Sequence, residues 1–252
     1  MGELLFADSY TREDLRTYIN RARSLDPDGA IRLQSHGMAL AAYVGVLPGQ
    51  GLMTAGAIIG LRVIALGEPA DVDVTVSLAS VSERLARRGI SAFSLPPTTV
   101  QVGWAALAPP RSGWERVGSL SIADLKAIAT QGIAQIAEGA PEGSGAHVVA
   151  ALRQRVWARD TQTTPPIPSG AAFAAYALGF LTSDSVTPDS RTADSVTPDS
   201  PTSDSRTAGS LTPDSPTSGS WTPDPVTPEN ARVFAHGHWT RLSTASGHVL
   251  MR

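Results

Sequence analysis

Cysteine is absent from this 252-residue sequence, which removes disulfides, thiolate nucleophiles and Cys-based zinc or iron–sulfur sites. Lysine is almost absent as well: Lys126 is the single example, and arginine supplies the rest of the positive charge. No apolar run escapes interruption by Gly, Arg or Pro for the length of a membrane span. The start, Met1 to Asp14, lacks the basic-then-apolar pattern of a signal peptide. The expectation is a cytoplasmic protein with no membrane partner. Neither sign of charge dominates, the formal net charge being −3. A dedicated nucleic-acid binder normally shows a strong basic excess.

The motifs of common chemistry are missing too. There is no G-x-S-x-G elbow, no P-loop and no G-x-G-x-x-G after a strand. Paired carboxylates such as Asp71 and Asp73 sit where strand edges explain them. No catalytic residue, cofactor or metal site is therefore assigned. His236 and His238 would share one face of a strand, with His248 on the strand beside it, but no carboxylate lies near them in sequence. Exposed hairpin histidines are the simpler reading.

What is present divides by composition. Residues 1–100 read as an α+β domain with a mainly antiparallel sheet and helices on one face. Thr11-Arg12-Glu13-Asp14 has the form of a capping box opening a helix with Leu15, Tyr18, Ile19 and Ala22 on one side. Ile31–Leu33 and Met38–Val46 flank a turn, and Ala57–Leu66 and Val72–Val76 continue as strands. Ser80-Val81-Ser82-Glu83 is a second capping box. Residues 101–118, bracketed by Pro pairs and rich in Trp, form a joint.

Residues 119–252 read as three helices and a C-terminal β-hairpin, the element order of a winged helix. Ser121-Ile122-Ala123-Asp124 caps the first helix, with Ile122, Leu125, Ile128, Ala129, Ile133 and Ile136 at helical spacing. The second runs from about Ala146 to Arg159. The third, Ala171 to Leu181, is apolar nearly all round and so expected to be buried. A two-residue turn at Ala245-Ser246 closes the hairpin and pairs Ser243 with His248.

Between the last helix and the hairpin lies a Ser/Thr/Pro/Asp repeat, residues 183–228, with a period near ten. Residues 182–230 hold seven Asp and one Glu against two Arg, a local charge of −6. With few apolar groups, the repeat is expected to be disordered. Its Thr-Pro steps at Thr187, Thr197, Thr212 and Thr222 are candidates for phosphorylation, against the plainer reading of a spacer.

Two candidate surfaces follow. In Pro109-Pro110-Arg111-Ser112-Gly113-Trp114-Glu115, Arg111 could clamp an anion and Trp114 could stack on a flat ligand. Arg153, Arg155 and Arg159, with Arg232, Arg241 and Arg252, could form a basic patch; Arg153, Arg241 and Arg252 are the residues to test for nucleic acid. Against this, the third helix has no Arg, Lys, Asn or Gln with which to read a base edge.

The run at 109–115, the run Gly170 to Leu181, and Trp239-Thr240-Arg241-Leu242 with Gly247 to Arg252 together resemble an uncharacterised actinobacterial two-domain family of unknown function. The resemblance spans most of the chain outside the repeat. It implies a bacterial cytoplasmic setting and no residue roles. The reading overall is a non-catalytic module acting on a protein partner. The alternatives are a weak nucleic-acid binder, or an enzyme with a site near Trp104, Arg111 and Trp114.

Overall fold

The structure, a computed structural model, describes residues 3–49, 54–87, 92–140, 143, 145–182 and 229–252. The repeat at 183–228, with its Thr-Pro steps, lies outside the described residues, as does Arg88 at the end of the second expected helix. Strand β1 (Glu3–Leu5) leads into helix α1 (Ser9–Leu25), then strands β2 (Ala30–His36), β3 (Ala39–Leu47), β4 (Ile58–Ala65) and β5 (Asp73–Ser77). Helix α2 (Leu78–Ala86) and strand β6 (Ala92–Ser94) follow, β6 pairing with β1 in a small separate sheet. Strand β7 (Glu115–Ser121), helices α3 (Ile122–Gly139), α4 (Ala146–Trp157) and α5 (Ser169–Ala177), and strands β8 (Asn230–His236), β9 (Trp239–Thr244) and β10 (Gly247–Met251) complete the order.

Eight strands join in one antiparallel sheet in the order β5-β2-β3-β4-β10-β9-β8-β7. The centre of that sheet is the pairing of β4 with β10, His248 opposite Leu61 and Met251 opposite Ile58. Outward from this line the halves match: β3 with β9, β2 with β8, β5 with β7. The β2–β3 and β8–β9 hairpins turn on His36-Gly37-Met38 and His236-Gly237-His238, with φ of 57° at Gly37 and 56° at Gly237. Glycine enters that left-handed region without the Cβ penalty, which places a two-residue turn there. The edge strand comes from opposite ends of each half: β5 follows β4, whereas β7 precedes the helices.

This arrangement corrects the hairpin reading of the C-terminus. Three strands, β8, β9 and β10, are present, all built into the shared sheet. The turn at Ala245-Ser246 has the expected register, Thr244 opposite Gly247 and Ser243 opposite His248. The turn at Gly237 breaks the strand expected to carry His236 and His238 on one face. His236 ends β8 and His238 lies in the turn, so the two imidazoles do not share a strand face.

Two helix starts also shift by a turn. Asp8 caps α1, its carboxylate accepting the Thr11 N–H and hydroxyl, each at 2.7 Å. Ser77 caps α2, accepting the Ser80 N–H at 3.2 Å. Thr11 and Ser80 are instead the third helical residues, whose free N–H groups a cap satisfies. Ser121 caps α3 as its sequence suggests.

The helices lie on one face of the sheet. Leu15, Tyr18, Ile19 and Ala22 of α1 are buried there with Ile31, Leu33, Leu40, Ile58 and Ile64; each fully buried aliphatic side chain is worth about 1.5–3 kcal/mol. Small residues let α5 approach closely: Ala171, Ala172, Ala174 and Ala175 are fully buried, and Leu178 packs on the bare backbone of Gly60. Helix α4 rests on α3 and α5, away from the sheet. Trp157 of α4 occupies the space a Cβ would take at Gly132 of α3. Ile133 of α3, expected inside, is 40% exposed.

The opposite face is only partly covered. A strap over residues 95–114 leaves the β5 edge, where the Val100 N–H donates to the Thr75 carbonyl at 2.9 Å, and crosses β3 and β4. Within it a single 3₁₀ turn, Gly103–Ala106, holds Trp104 against Gly45. A Cβ at Gly45 would fall 2.5 Å from that indole. Trp104 and Leu107 are buried with Ile59, Trp239 and Leu250. Arg32 ties the strap down, donating to the carbonyls of Ala105 at 2.9 Å and Leu107 at 3.3 Å.

Candidate functional site

Beyond the strap, the outer face of β7–β10 presents side chains in rows set by cross-strand register. Arg232 of β8 stands opposite Ser243 of β9, and Ser243 opposite His248 of β10. The next row runs through Arg116 of β7, Phe234, Arg241 and Leu250. His236 and Trp239 begin a third. A depression of about 240 Å³ opens here, lined by Arg232, Phe234, Arg241, Ser243, Thr244 and His248.

Arg241 is held between two aromatic rings, its guanidinium carbon 4.6 Å from the centroid of Trp114 and 4.6 Å from that of Phe234. Each such contact is worth about 0.5–2 kcal/mol and fixes the plane of the cation. Trp114 is itself fixed: its Nε1–H donates to the Pro110 carbonyl at 2.9 Å. His236 packs edge-on against it at 6.0 Å between centroids, and its Nδ1 donates to the Gly113 carbonyl at 2.7 Å. The Nε of Arg241 is buried without a hydrogen-bond partner, and burial lowers the pKa of the guanidinium from its ordinary value.

His248 forms a hydrogen bond through Nδ1 with the Ser243 hydroxyl at 2.9 Å. Burial, then the charges of Arg241 and Arg62, push its pKa down to about 4. The imidazole is therefore neutral near pH 7.

Four arginines elsewhere pair with carboxylates, Arg32 with Asp73, Arg62 with Asp14, Arg16 with Glu13 and Arg87 with Glu83, while Arg12, Arg21 and Arg23 bond to backbone carbonyls or a hydroxyl. Among the described residues no acidic group pairs with Arg232, Arg241 or Arg252, and no acidic side chain lines the depression. Arg252 lies over Trp239, 5.8 Å from its ring centroid. The local chemistry is that of an anion receptor: fixed cations, a hydroxyl and a neutral imidazole over an aromatic floor. General-base chemistry fits poorly. An imidazole with a pKa near 4 is a weak base for activating Ser243. Among the described residues no group of three His, Asp or Glu could hold a metal ion.

The residues singled out in the sequence scatter. Arg111 is exposed, and its charge acts on Tyr43 and Asp73 in the N-terminal half. Trp114 turns the other way, onto Arg241, so the two do not meet around one ligand. Trp104, placed with them at the joint, is 8% exposed beneath the strap. Arg153 is exposed on α4, in the helical layer, whereas Arg232, Arg241 and Arg252 share the opposite face. Sequence reasoning missed Phe234 and the pairing of Ser243 and His248 with two arginines. A signal was available in the repeated spacing Arg32 to His36-Gly37 and Arg232 to His236-Gly237.

Among the described residues no helix is long and apolar enough to cross a membrane. No curated protein matches this chain. Residues 1–106 match a domain of unknown function, DUF8010. Residues 109–252, which include every residue lining the depression, match a second one, and with that match covering more than half its length the chain belongs to the family described as Domain of unknown function (DUF8185).

Proposed function

We propose that this protein is a non-catalytic binding module that receives an anionic segment of a protein partner on the outer face of β7–β10. The observation that carries the reading is the set Arg232, Arg241 and Arg252, left without carboxylates on one partly covered sheet face. Desolvating a guanidinium without a counter-charge is costly, so burying Arg241 makes sense where an incoming anion completes the site. The low basicity of His248 supports binding over hydrolysis.

Nucleic acid is the second reading, and the same cations motivate it. It is disfavoured because Trp114 and Phe234 each already give one ring face to Arg241, which leaves less aromatic surface for stacking on bases. The winged-helix analogy does not help it: α5, the helix that would enter a groove, is largely buried and carries no basic side chain.

The test is fluorescence anisotropy with the full chain, using a labelled Asp/Glu-rich peptide and labelled single-stranded and duplex DNA of similar length. At physiological salt the peptide is expected to bind and both DNAs to remain free. DNA binding that persists at that salt and falls steeply as salt rises further would replace the protein reading with the nucleic-acid one.

A further inference from the structure

Within that face, the depression has a more specific chemistry than a general attraction for anions. Two guanidiniums on adjacent strands reach it, Arg232 from β8 and Arg241 from β9, and no carboxylate lines it. A carboxylate has two oxygens in one plane and one negative charge, which a single guanidinium satisfies by a bidentate pair. Two guanidiniums and a hydroxyl offer donors from more directions and more positive charge than that ligand can use. A phosphate monoester carries close to two charges near pH 7 and three strongly accepting oxygens in a tetrahedral array. It matches both the charge and the spread of donors.

The remaining wall supports the same ligand. The Ser243 hydroxyl sits between Arg232 and His248 in one cross-strand row. Because neutral His248 carries a single N–H and its Nδ1 is bonded to the Ser243 hydroxyl, this pair leaves one donor for the ligand, either the hydroxyl or the His248 Nε2–H. Contacts with the rings of both Trp114 and Phe234 restrain the guanidinium of Arg241. A fixed cation loses little side-chain freedom when an anion arrives. Its matching position in the N-terminal half, Ala41 of β3, carries no charge, and Tyr43 stands where Ser243 does. The receptor is thus a feature of one half and not of the scaffold.

We infer that the depression formed by Arg232, Arg241, Ser243 and His248 recognises a phosphate monoester carried on the partner polypeptide. This rests on the proposed function for the identity of the face and the protein nature of the partner, and adds the group that is recognised.

Isothermal titration of the full chain with four probes tests it: inorganic phosphate, a phosphoserine peptide, the same peptide with serine, and the same peptide with glutamate. Expected is measurable binding of inorganic phosphate, and binding of the phosphoserine peptide about tenfold or more tighter than the glutamate form, as the extra charge-assisted bonds imply. Arg232→Gln should weaken both phosphate-bearing probes about tenfold or more, and Ser243→Ala by a smaller factor. Arg153→Gln, on the far side of the molecule, should change neither. Arg232 is partly exposed, so an unchanged circular dichroism spectrum and melting temperature would tie the loss to the site. Equal binding of the glutamate and phosphoserine peptides, with no competition by phosphate, would overturn phosphate recognition and leave a protein partner standing. Binding of inorganic phosphate with no gain from any peptide would overturn the protein partner and support the phosphate site alone. Binding of all probes unchanged by Arg232→Gln would overturn the location.

Discussion

Arg32 and Arg232 stand four residues before the same His-Gly turn, each on the second strand in from a sheet edge. Their surroundings differ in sign. Opposite Gln34 on the edge strand β5 stands Asp73, whose carboxylate takes both Arg32 at 2.7 and 2.8 Å and the Gln34 amide at 2.8 Å. The matching place on β7, opposite Phe234, is held by Arg116. One half closes its charges internally and is roofed by the strap through Trp104. The other has Arg116 where the first has Asp73, Phe234 and Trp239 where it has Gln34 and Ala39, and is only partly covered, by Trp114 over Arg241 and by the strap over Trp239 and Leu250. On the proposed function, the same three-strand unit is a foundation on one side and a receptor on the other. Comparing matched positions separates structural arginines from functional ones better than counting charges over the whole chain.

The comparison is easiest to break through the strap. Trp104→Ala should lower stability by about 3–5 kcal/mol in urea unfolding, as for other buried tryptophans. Trp114→Ala, at a half-buried ring that mainly orients Arg241, should cost about 1–2 kcal/mol while weakening anion binding. Equal costs would mean that the C-terminal face is as structurally committed as the N-terminal one.

Next in size is a pH effect confined to the C-terminal half. The pKa of His248 is about 4 in the fold, against 6.5 for a free imidazole. As pH falls, the unfolded chain takes up that proton first. The stabilisation from neutral His248 is therefore complete above pH 6.5 and lost as pH falls to about 4, on the order of 2 kcal/mol after allowing for partial exposure. His248→Gln should flatten this segment of the stability–pH curve. Asp73, held below its ordinary value first by its hydrogen bond from Arg32, acts at still lower pH and does not overlap that window.

Smaller again is the contrast between the two matched arginines. Arg32→Ala removes the Asp73 pair and two bonds to the strap, and should cost about 1–2 kcal/mol. Arg232→Ala should stay within about 0.5 kcal/mol, with its effect appearing in ligand binding. A last contrast is Arg116→Asp, which places on β7 the carboxylate that β5 has. A surface pair contributes about 0–1 kcal/mol, but it should neutralise Arg232 and abolish phosphate binding in the titration.

Much of this fold can be read from the residues, and the limits of that reading are physical. Period-two alternation in Val72–Val76, the Ile- and Val-rich run of Ala57–Leu66 and the apolar stripe of α1 are local signals, and the buried residues Leu15, Tyr18, Ile19 and Ala22 follow from the last. The strap is not local: residues 101–118 read as a joint because nothing in Gly103–Ala106 announces that Trp104 will cover Gly45, far upstream in the chain. Gly237 was legible in principle as a turn, since it matches Gly37 with the same histidine before it. The site stayed hidden because Arg241, Ser243 and His248 acquire their meaning from register across three strands and from Trp114, which belongs to another segment altogether.

The most direct test of the account is a two-dimensional ¹H–¹⁵N spectrum of the full chain titrated with the phosphoserine peptide. The account predicts shifts concentrated at Arg232, Phe234, Arg241, Ser243 and His248, with Arg32, Gln34 and Tyr43 unmoved. Shifts centred on the N-terminal half, or spread evenly over both, would contradict it.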